Sequence, residues 1–203
     1  MQFTKLEIPD VVLIEPRRLE DFRGYFMEVF HEKVFRTHVA DVHFVQDNEA
    51  MSTAIGTVRG LHFQKPPAAH GKLVRVLNGA VYDVAVDIRD GSPFFGKHVG
   101  LMLDASSAKM LWIPPGFAHG YCTLKSDSIV AYKITDFYSA EHDAGIVWND
   151  PDLGINWPVT SNDAILSDKD RLLPTFTNIP SLFTFQENLI EKTEDPYKIQ
   201  VNS

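Results

Sequence analysis

The chain has 203 residues, of which 44% are hydrophobic and 23% charged, and its formal net charge is −8. This composition predicts one soluble globular domain, and the acidic balance argues against a nucleic-acid binder, which would need a basic face. No apolar run approaches the roughly 18 residues of a membrane helix, residues 1–10 lack the apolar core of a signal peptide, and the lone Cys122 cannot form an internal disulfide, so a cytoplasmic location without membrane partners is predicted.

Along the chain, short apolar runs separated by Gly, Pro, Asp and Ser clusters predict β-strands. They cover residues 11–16, 73–77, 80–88, 99–103, 109–113 and 129–135. Helical patterns are few, with candidates at Glu32–His38 and 181–192. Many short strands with turn signals between them indicate an all-β fold, a β-sandwich or jelly roll.

Asn78 and Gly79 separate the strand-like runs 73–77 and 80–88. An Asn-Gly pair between two extended runs predicts a β-hairpin turn. In the second run the side chains alternate between two faces, with Tyr82, Val84, Val86 and Ile88 on one and Asp83, Ala85 and Asp87 on the other. Carboxylates that repeat on one strand face either meet solvent or line a polar cavity.

The domain is predicted to span residues 1–176, followed by a more polar C-terminal extension at 177–203. Leu182, Phe183 and Phe185 form a small apolar cluster in this extension. Apolar clusters of this kind usually pack on something, so we expect the extension to lie against the domain or across a dimer.

Pro114, Gly116 and His119 match the second half of the cupin motif, in which a tight turn aims the histidine into a barrel. Metal-binding cupins also carry a histidine pair in the first half, and here the corresponding stretch has His62 with Gln64 in place of the second histidine. A divalent metal site normally needs at least three ligands. The sequence therefore predicts no metal site.

A series of motifs from about residue 5 to 176 resembles, in order and spacing, the dTDP-4-dehydrorhamnose 3,5-epimerases. They are Arg23-Gly24 with Glu28, QDN at 46–48, RGLHFQ at 59–64, Lys72, VDIR at 86–89, SPFFG at 92–96, WIPPGFAHG at 112–120, Tyr132 with Tyr138, WNDP at 148–151 and SDKD at 167–170. The resemblance implies a cupin jelly roll, a homodimer, and epimerisation at C3 and C5 of a dTDP-4-keto-6-deoxyhexose without a metal or cofactor.

The resemblance also implies a role for individual residues. His62 would be the base, Asp170 its carboxylate partner and Tyr132 the acid on the opposite face of the sugar. The aromatic residue that stacks on thymine would be Tyr138. Further contacts to the sugar nucleotide would come from Arg23, Glu28, Gln46, Asn48, Arg59, Lys72, His119, Lys169 and Asp143, the last at a position where the family often has Glu.

The chemistry of a 4-keto sugar calls for these residue types independently. The ketone acidifies the hydrogens at C3 and C5, and a histidine with a pKa near neutrality can remove them. Negative charge that develops on the ketone oxygen needs a fixed donor, for which Lys72 is the candidate. Inversion requires a proton from the other face, which Tyr132 would supply, and a diphosphate calls for arginines such as Arg23 and Arg59.

Other interpretations of the same residues stay open. His62 alone is compatible with a hydrogen-bonded core histidine, and Arg23 with Glu28 is compatible with a surface ion pair. At the level of function, the alternatives are an epimerase that inverts only C3 or C5 or acts on a related nucleotide sugar, a non-catalytic sugar-binding cupin, and a metal-dependent cupin oxygenase.

Overall fold

The computed structural model describes residues 1–186, which form two large antiparallel sheets and a separate hairpin. The first sheet has six strands, side by side as β1 (Gln2–Lys5), β2 (Val12–Glu15), β10 (Met110–Ile113), β7 (Lys72–Asn78), β12 (Ser128–Ile134) and β5 (Gln46–Ser52). The second has five, side by side as β13 (Asp143–Gly145), β6 (Val58–Gln64), β11 (Phe117–Thr123), β8 (Ala80–Asp87) and β9 (His98–Asp104). The hairpin consists of β3 (Arg18–Asp21) and β4 (Gly24–Met27).

The two sheets pack face to face around one apolar core. The first sheet contributes Val74, Val76, Leu111, Ile113 and Val130, and the second contributes Val81, Ala85, Val99, Leu103 and Phe117. All of these side chains are nearly or fully buried. Two antiparallel sheets that share an interior are the architecture of a jelly roll, so the predicted all-β fold is confirmed.

The strand alternation predicted for residues 80–88 places polar and apolar side chains as expected. Val84 and Val86 face outward into a second apolar cluster, whereas Ala85 faces the core between the sheets. Asp83 and Asp87, which share the inner face, are 0% exposed. These two carboxylates therefore lie inside the molecule and do not meet solvent.

The predicted hairpin at Asn78 and Gly79 is wrong. Strand β7 pairs with β10 and β12, and β8 pairs with β9 and β11, so the two strands belong to different sheets. Gly79 has a φ of +78° and leaves no room for a side chain, because a Cβ there would lie 2.3 Å from the Ser128 hydroxyl. The pair is a tight connection between sheets, and the pairing of each strand is decided by residues distant in sequence.

The helical predictions have different outcomes. Helix α1 covers Glu32–His38, as predicted, and two further short segments are α2 (Asp168–Arg171) and a 3₁₀ turn (Phe176–Asn178). Residues 181–186 are extended, because Thr184 forms a parallel bridge with Asp90, so the predicted helix at 181–192 is wrong over this part. Its remainder, 187–192, lies outside the described residues.

The described part of the C-terminal extension lies against the second sheet. Leu182 and Phe183 pack on the cluster that contains Leu61 and Phe63, and the Phe63 and Phe183 rings lie 6.0 Å apart. Backbone hydrogen bonds join Asp90 to Phe183 and Phe185. The domain boundary at residue 176 stays a prediction, and residues 177–186 continue on the surface of the domain.

The β3–β4 hairpin extends from the two sheets and leaves large apolar side chains exposed. Phe22 is 97% exposed, Phe26 70%, Tyr25 59% and Leu19 50%. Within residues 1–186 the hairpin strands pair only with each other. None of the helices in this part of the chain is long and apolar enough to cross a membrane.

Candidate active site

A cavity lies between the inner faces of the two sheets and consists of two chambers that share part of their walls. The first chamber has a volume of about 340 Å³ and the second about 370 Å³. Both are lined by His62, Lys72, Tyr132 and Lys169. The first is also lined by Gln46, Asn48, Gln64, His70, Tyr138 and Asp143, and the second by Arg59, His119, Tyr121, Ser167 and Asp170.

A β-bulge brings Arg59 and His62 to the same chamber. On β11, His119 pairs with His62 and Tyr121 pairs with Arg59, so three steps along β6 oppose two steps along β11. The extra residue changes the alternation of β6. Gly60 and Gly120 permit the close approach of the two strands there, because a Cβ on Gly60 would lie 2.6 Å from Gly120 Cα. The glycines of the RGLH and AHG motifs thus shape the wall that carries both histidines.

His62 forms a hydrogen bond with Asp170, 108 residues later in the chain. His62 Nε2 lies 2.6 Å from Asp170 Oδ1, and Asp170 is 3% exposed. Because a carboxylate only accepts, an imidazole with a single proton would donate it from Nε2 and would keep a free lone pair on Nδ1. Burial would raise the pKa of Asp170, but hydrogen bonds from His62, Ser167 and the Gly60 backbone lower it overall, which keeps the carboxylate charged.

The position of Asp170 follows from the local structure around α2. The Ser167 hydroxyl caps this helix by accepting a hydrogen bond from the Asp170 backbone N–H. Just before it, the backbone of Ile165 bonds to Gly56 and Val58 at the start of β6. The strand that carries His62 therefore also anchors the helix that carries its carboxylate.

A second histidine–aspartate pair lies beside the first. His119 Nε2 lies 3.1 Å from both carboxylate oxygens of Asp83, and the two residues are 6% and 0% exposed. Burial lowers the pKa of His119, although Asp83 acts in the opposite direction. His119 is therefore neutral around pH 7 and donates its Nε2 proton to a buried carboxylate.

Lys72 and Tyr132 enter the cavity from the first sheet, opposite His62 on the second. Lys72 Nζ donates to the His62 carbonyl oxygen at 3.4 Å. Burial lowers the pKa of Lys72 to about 8, against the raising effect of Asp83 and Asp143. Burial also raises the pKa of Tyr132, so its phenol keeps a proton at neutral pH. The cavity thus has the imidazole of His62 on one side and the protonated phenol of Tyr132 on the other.

Gln64, where a metal-binding cupin would have its second histidine, holds a loop. Its side-chain amide bonds to both the N–H and the carbonyl of Ser139, each at 2.8 Å. The neighbouring Tyr138 donates its N–H to Gln46 at 3.1 Å and its hydroxyl to Asp143 at 3.1 Å. Lys169 also donates to Asp143. Tyr138, which is 54% exposed, is thereby fixed at the mouth of the first chamber.

The structure does not bring every expected contact residue to this cavity. Arg23 lies on the exposed hairpin, where its guanidinium pairs with Asp21 at 2.5 Å, and Glu28 is exposed just beyond β4. Neither residue lines either chamber. Gln46, Asn48, Arg59, His119, Tyr138, Asp143 and Lys169 do lie there, together with His62, Lys72, Tyr132 and Asp170.

Asp83, Tyr121 and His70 lie in or beside the cavity and were not predicted as site residues from the sequence. Asp83 is the partner of His119. The sequence pattern that could have indicated it is the repeat of Asp83 and Asp87 on one face of β8. Tyr121 follows His119 by two residues, so strand alternation puts it on the same inner face. His70 lines the first chamber, and burial and the charge of Lys72 lower its pKa to about 4; no sequence pattern indicated it. Within residues 1–186, no group of three His, Cys, Asp or Glu side chains is arranged to hold a metal ion.

Comparisons with known proteins agree with this site. The family model described as dTDP-4-dehydrorhamnose 3,5-epimerase matches residues 5–178. A protein of that name from Sinorhizobium fredii is 54% identical over 185 residues, which cover 91% of this chain and 94% of the relative. The crystal structure of the dTDP-4-dehydrorhamnose 3,5-epimerase from Bacillus anthracis, with TDP and PPi bound, superimposes with a TM-score of 0.82 at 50% identity, covering 86% of this chain and 98% of the other.

A 3′-monoepimerase from Streptomyces bikiniensis, in complex with dTDP-quinovose, also shares the fold. Its TM-score is 0.78 at 32% identity, with 85% of this chain and 86% of the other covered. The family model spans most of the chain and the identity to the Sinorhizobium protein exceeds one half. These matches confirm the predicted resemblance and favour an epimerase over the other cupin classes. The chain belongs to the dTDP-4-dehydrorhamnose 3,5-epimerase family.

Proposed function

We propose that this protein inverts C3 and C5 of dTDP-4-dehydro-6-deoxy-D-glucose and so forms dTDP-4-dehydro-L-rhamnose. The observation that carries the proposal is the pairing of groups across the cavity. On one sheet lies His62, bonded to a buried carboxylate at 2.6 Å, and on the other lies the protonated phenol of Tyr132. A base and an acid on opposite sides of a bound ring are what inversion at carbon requires.

In the proposed reaction, His62 Nδ1 removes the proton from C3 or C5. The electron pair of the broken C–H bond moves into the C4 carbonyl to give an enolate, and the imidazolium that forms is stabilised by Asp170. The Lys72 ammonium stabilises the negative oxygen. Tyr132 then delivers its proton to the opposite face of the carbon. His62 releases the proton it removed to solvent and the Tyr132 phenolate takes one up, so both groups are restored before the second carbon reacts.

The two chambers suggest how the substrate lies. The first chamber has the side-chain amides of Gln46 and Asn48 and the exposed ring of Tyr138, groups that suit a nucleobase through hydrogen bonds and stacking. Lys169, which lines both chambers, offers a cation to the diphosphate where they meet. The hexose then occupies the second chamber, against His62 and Tyr132.

The proposal includes a homodimer in which the β3–β4 hairpin of one subunit reaches the cavity of the other. It is supported by the exposed apolar side chains of the hairpin, with Phe22 97% exposed. It also explains why Arg23 and Glu28 lie apart from the cavity of their own chain, whereas the family resemblance makes them substrate contacts. The proposal also includes a cytoplasmic location for the protein.

Complementation between two inactive variants tests the dimer. Co-expressed His62→Asn and Arg23→Ala chains form mixed dimers with one intact site if Arg23 acts on the partner subunit, so about a quarter of all sites should be active. If Arg23 acts within its own chain, every site lacks one essential residue and no activity returns. Analytical ultracentrifugation of the wild-type chain gives the oligomeric state independently.

Proton NMR in deuterated buffer tests the reaction. With dTDP-4-dehydro-6-deoxy-D-glucose as substrate, we expect deuterium at both C3 and C5 and the L-rhamno configuration in the product. Lack of exchange at both carbons would contradict the proposed function.

A single-carbon epimerase is the second candidate. It is favoured by the likeness to the 3′-monoepimerase, which shows that this fold occurs with inversion at one centre. One base and one acid serve either outcome, because the placement of the sugar decides which carbon reaches them. In the same NMR experiment, inversion at C3 or C5 alone would identify this candidate.

A further inference from the structure

Two buried side-chain atoms in residues 1–186 have no hydrogen-bond partner, the Tyr121 hydroxyl and His70 Nδ1. Each lines one of the two chambers. Tyr121 is the more enclosed of the two residues, with only 5% of its surface exposed. Because an unpaired buried hydroxyl is unfavourable, its presence needs an explanation, and a ligand that fills the second chamber provides one.

Tyr121 lies at the end of the second chamber that is farther from the first. Alternate residues of β5 follow the cavity, with Gln46 and Asn48 in the first chamber and Ala50 in the second. Ser52 comes next and lies about 13 Å along the strand from Asn48. The Ser52 hydroxyl lies near Tyr121 but accepts a hydrogen bond from Arg59 Nε at 3.0 Å, and it is outside hydrogen-bonding geometry with the phenol.

The surroundings of Tyr121 are those of the reacting sugar. Its ring centroid lies 6.3 Å from that of His119, and its chamber is also lined by His62 and Tyr132. Burial raises the pKa of Tyr121 to about 12, so the phenol acts as a hydrogen-bond donor. A hexose with C3 and C5 between His62 and Tyr132 would present its other oxygens to this end of the chamber.

We propose that the Tyr121 hydroxyl donates a hydrogen bond to an oxygen of the hexose and orients the ring between His62 and Tyr132. This inference rests on the proposed function, because it takes a nucleotide sugar as the ligand. It adds a substrate-contacting residue to the site and assigns it to the hexose, not to the diphosphate or the base.

Calorimetric titration of Tyr121→Phe tests the assignment, since the change removes one oxygen atom and keeps the ring. We expect dTDP-glucose to bind about tenfold more weakly and dTDP, which lacks the hexose, to bind as it does to the wild type. Since the hydroxyl has no hydrogen-bond partner among residues 1–186, the melting temperature should not fall. A structural role would instead lower the melting temperature and leave both affinities unchanged.

Tyr82→Phe is the matched control. Tyr82 lies on β8 with its ring against Trp157 on the outer side of the second sheet, so loss of its hydroxyl should leave both affinities unchanged. Unchanged affinity of Tyr121→Phe for dTDP-glucose, or an equal loss for dTDP and dTDP-glucose, would overturn the assignment to the hexose. Failure of the wild type to bind either nucleotide would overturn the proposed function and this inference with it.

Discussion

Two histidine–aspartate pairs lie side by side in this molecule and differ in their exposure. His62 and His119 are direct neighbours across β6 and β11. The side chain of His62 is 30% exposed and that of its partner Asp170 5%, whereas His119 and Asp83 are 7% and 0% exposed. The same two residue types therefore form one pair that a ligand can reach from two chambers and one that is almost fully enclosed.

The difference in exposure indicates a division of roles. His62 can take up a proton, because the imidazolium would be paired with Asp170 and open to the cavity. A proton on His119 would be a buried charge near Lys72, and burial lowers the pKa of His119 accordingly. We therefore interpret His62 as the group that moves protons and His119 as a neutral group that shapes the cavity wall.

The largest expected effect follows from replacing the two histidines in turn. His62→Asn should lower kcat at least about a thousandfold, because the amide that replaces the imidazole cannot accept the proton from C3 or C5. His119→Asn should lower it only about tenfold, because His119 makes contacts and transfers no proton. A coupled reductase assay measures both, with dTDP binding as the control for folding. A loss for His119→Asn as large as that for His62→Asn would reverse the assignment of roles.

The two aspartates should separate activity from stability. Asp170→Asn should lower kcat about a hundredfold, because the amide no longer stabilises the His62 imidazolium. Asp83→Asn should instead lower the melting temperature by about 5 °C, because a buried amide N–H₂ would face His119 without an acceptor. Thermal unfolding and steady-state kinetics on the same samples test this contrast, and a more stable Asp83→Asn variant would contradict it.

Local sequence patterns indicated some residues of the two histidine–aspartate pairs but not how they are paired. Strand alternation placed Asp83 and Asp87 on one face of β8, but it left open whether that face meets solvent or a cavity, since this depends on the packing of the second sheet. The contact between His62 and Asp170 joins residues 108 positions apart. No local pattern links them, so this pair was indicated only by the family resemblance.

Pairing between strands that are distant in sequence also explains the two wrong secondary-structure predictions and the missed site residue Tyr121. The Asn78–Gly79 turn has the local chemistry of a hairpin, yet β7 and β8 pair with other strands in different sheets. Residues 181–186 pair as extended chain with Asp90 and do not form a helix. Tyr121 follows from the alternation that places His119 inside, but its unpaired hydroxyl is visible only once the strands around it are in place.

Lys72, whose ammonium donates a hydrogen bond to the His62 carbonyl, should limit the reaction at alkaline pH. The enolate is stabilised by the ammonium form, and burial lowers the pKa of Lys72 to about 8. In the free enzyme, kcat/KM should therefore fall about tenfold per pH unit above that value. This alkaline decrease in kcat/KM should be absent in Lys72→Arg, because the guanidinium stays charged, even if the variant is less active than the wild type. A wild-type kcat/KM that stays level to about pH 9.5 would show that the charge of Lys72 is not required.

The smallest expected effect is on the pH dependence of stability. His119 has a lowered pKa in the folded state, whereas in the unfolded chain it titrates near about 6.5. Below that pH the unfolded chain takes up a proton that the folded protein excludes, so the free energy of unfolding falls as the solution is acidified. Between about pH 7.5 and 5.5, His119→Gln should therefore lose about 1 kcal/mol less stability than the wild type. Urea unfolding at both pH values measures the difference. His62→Gln is the matched control on the neighbouring strand. If the loss of stability on acidification were reduced more in His62→Gln than in His119→Gln, the effect would come from the His62–Asp170 pair and the prediction would be wrong.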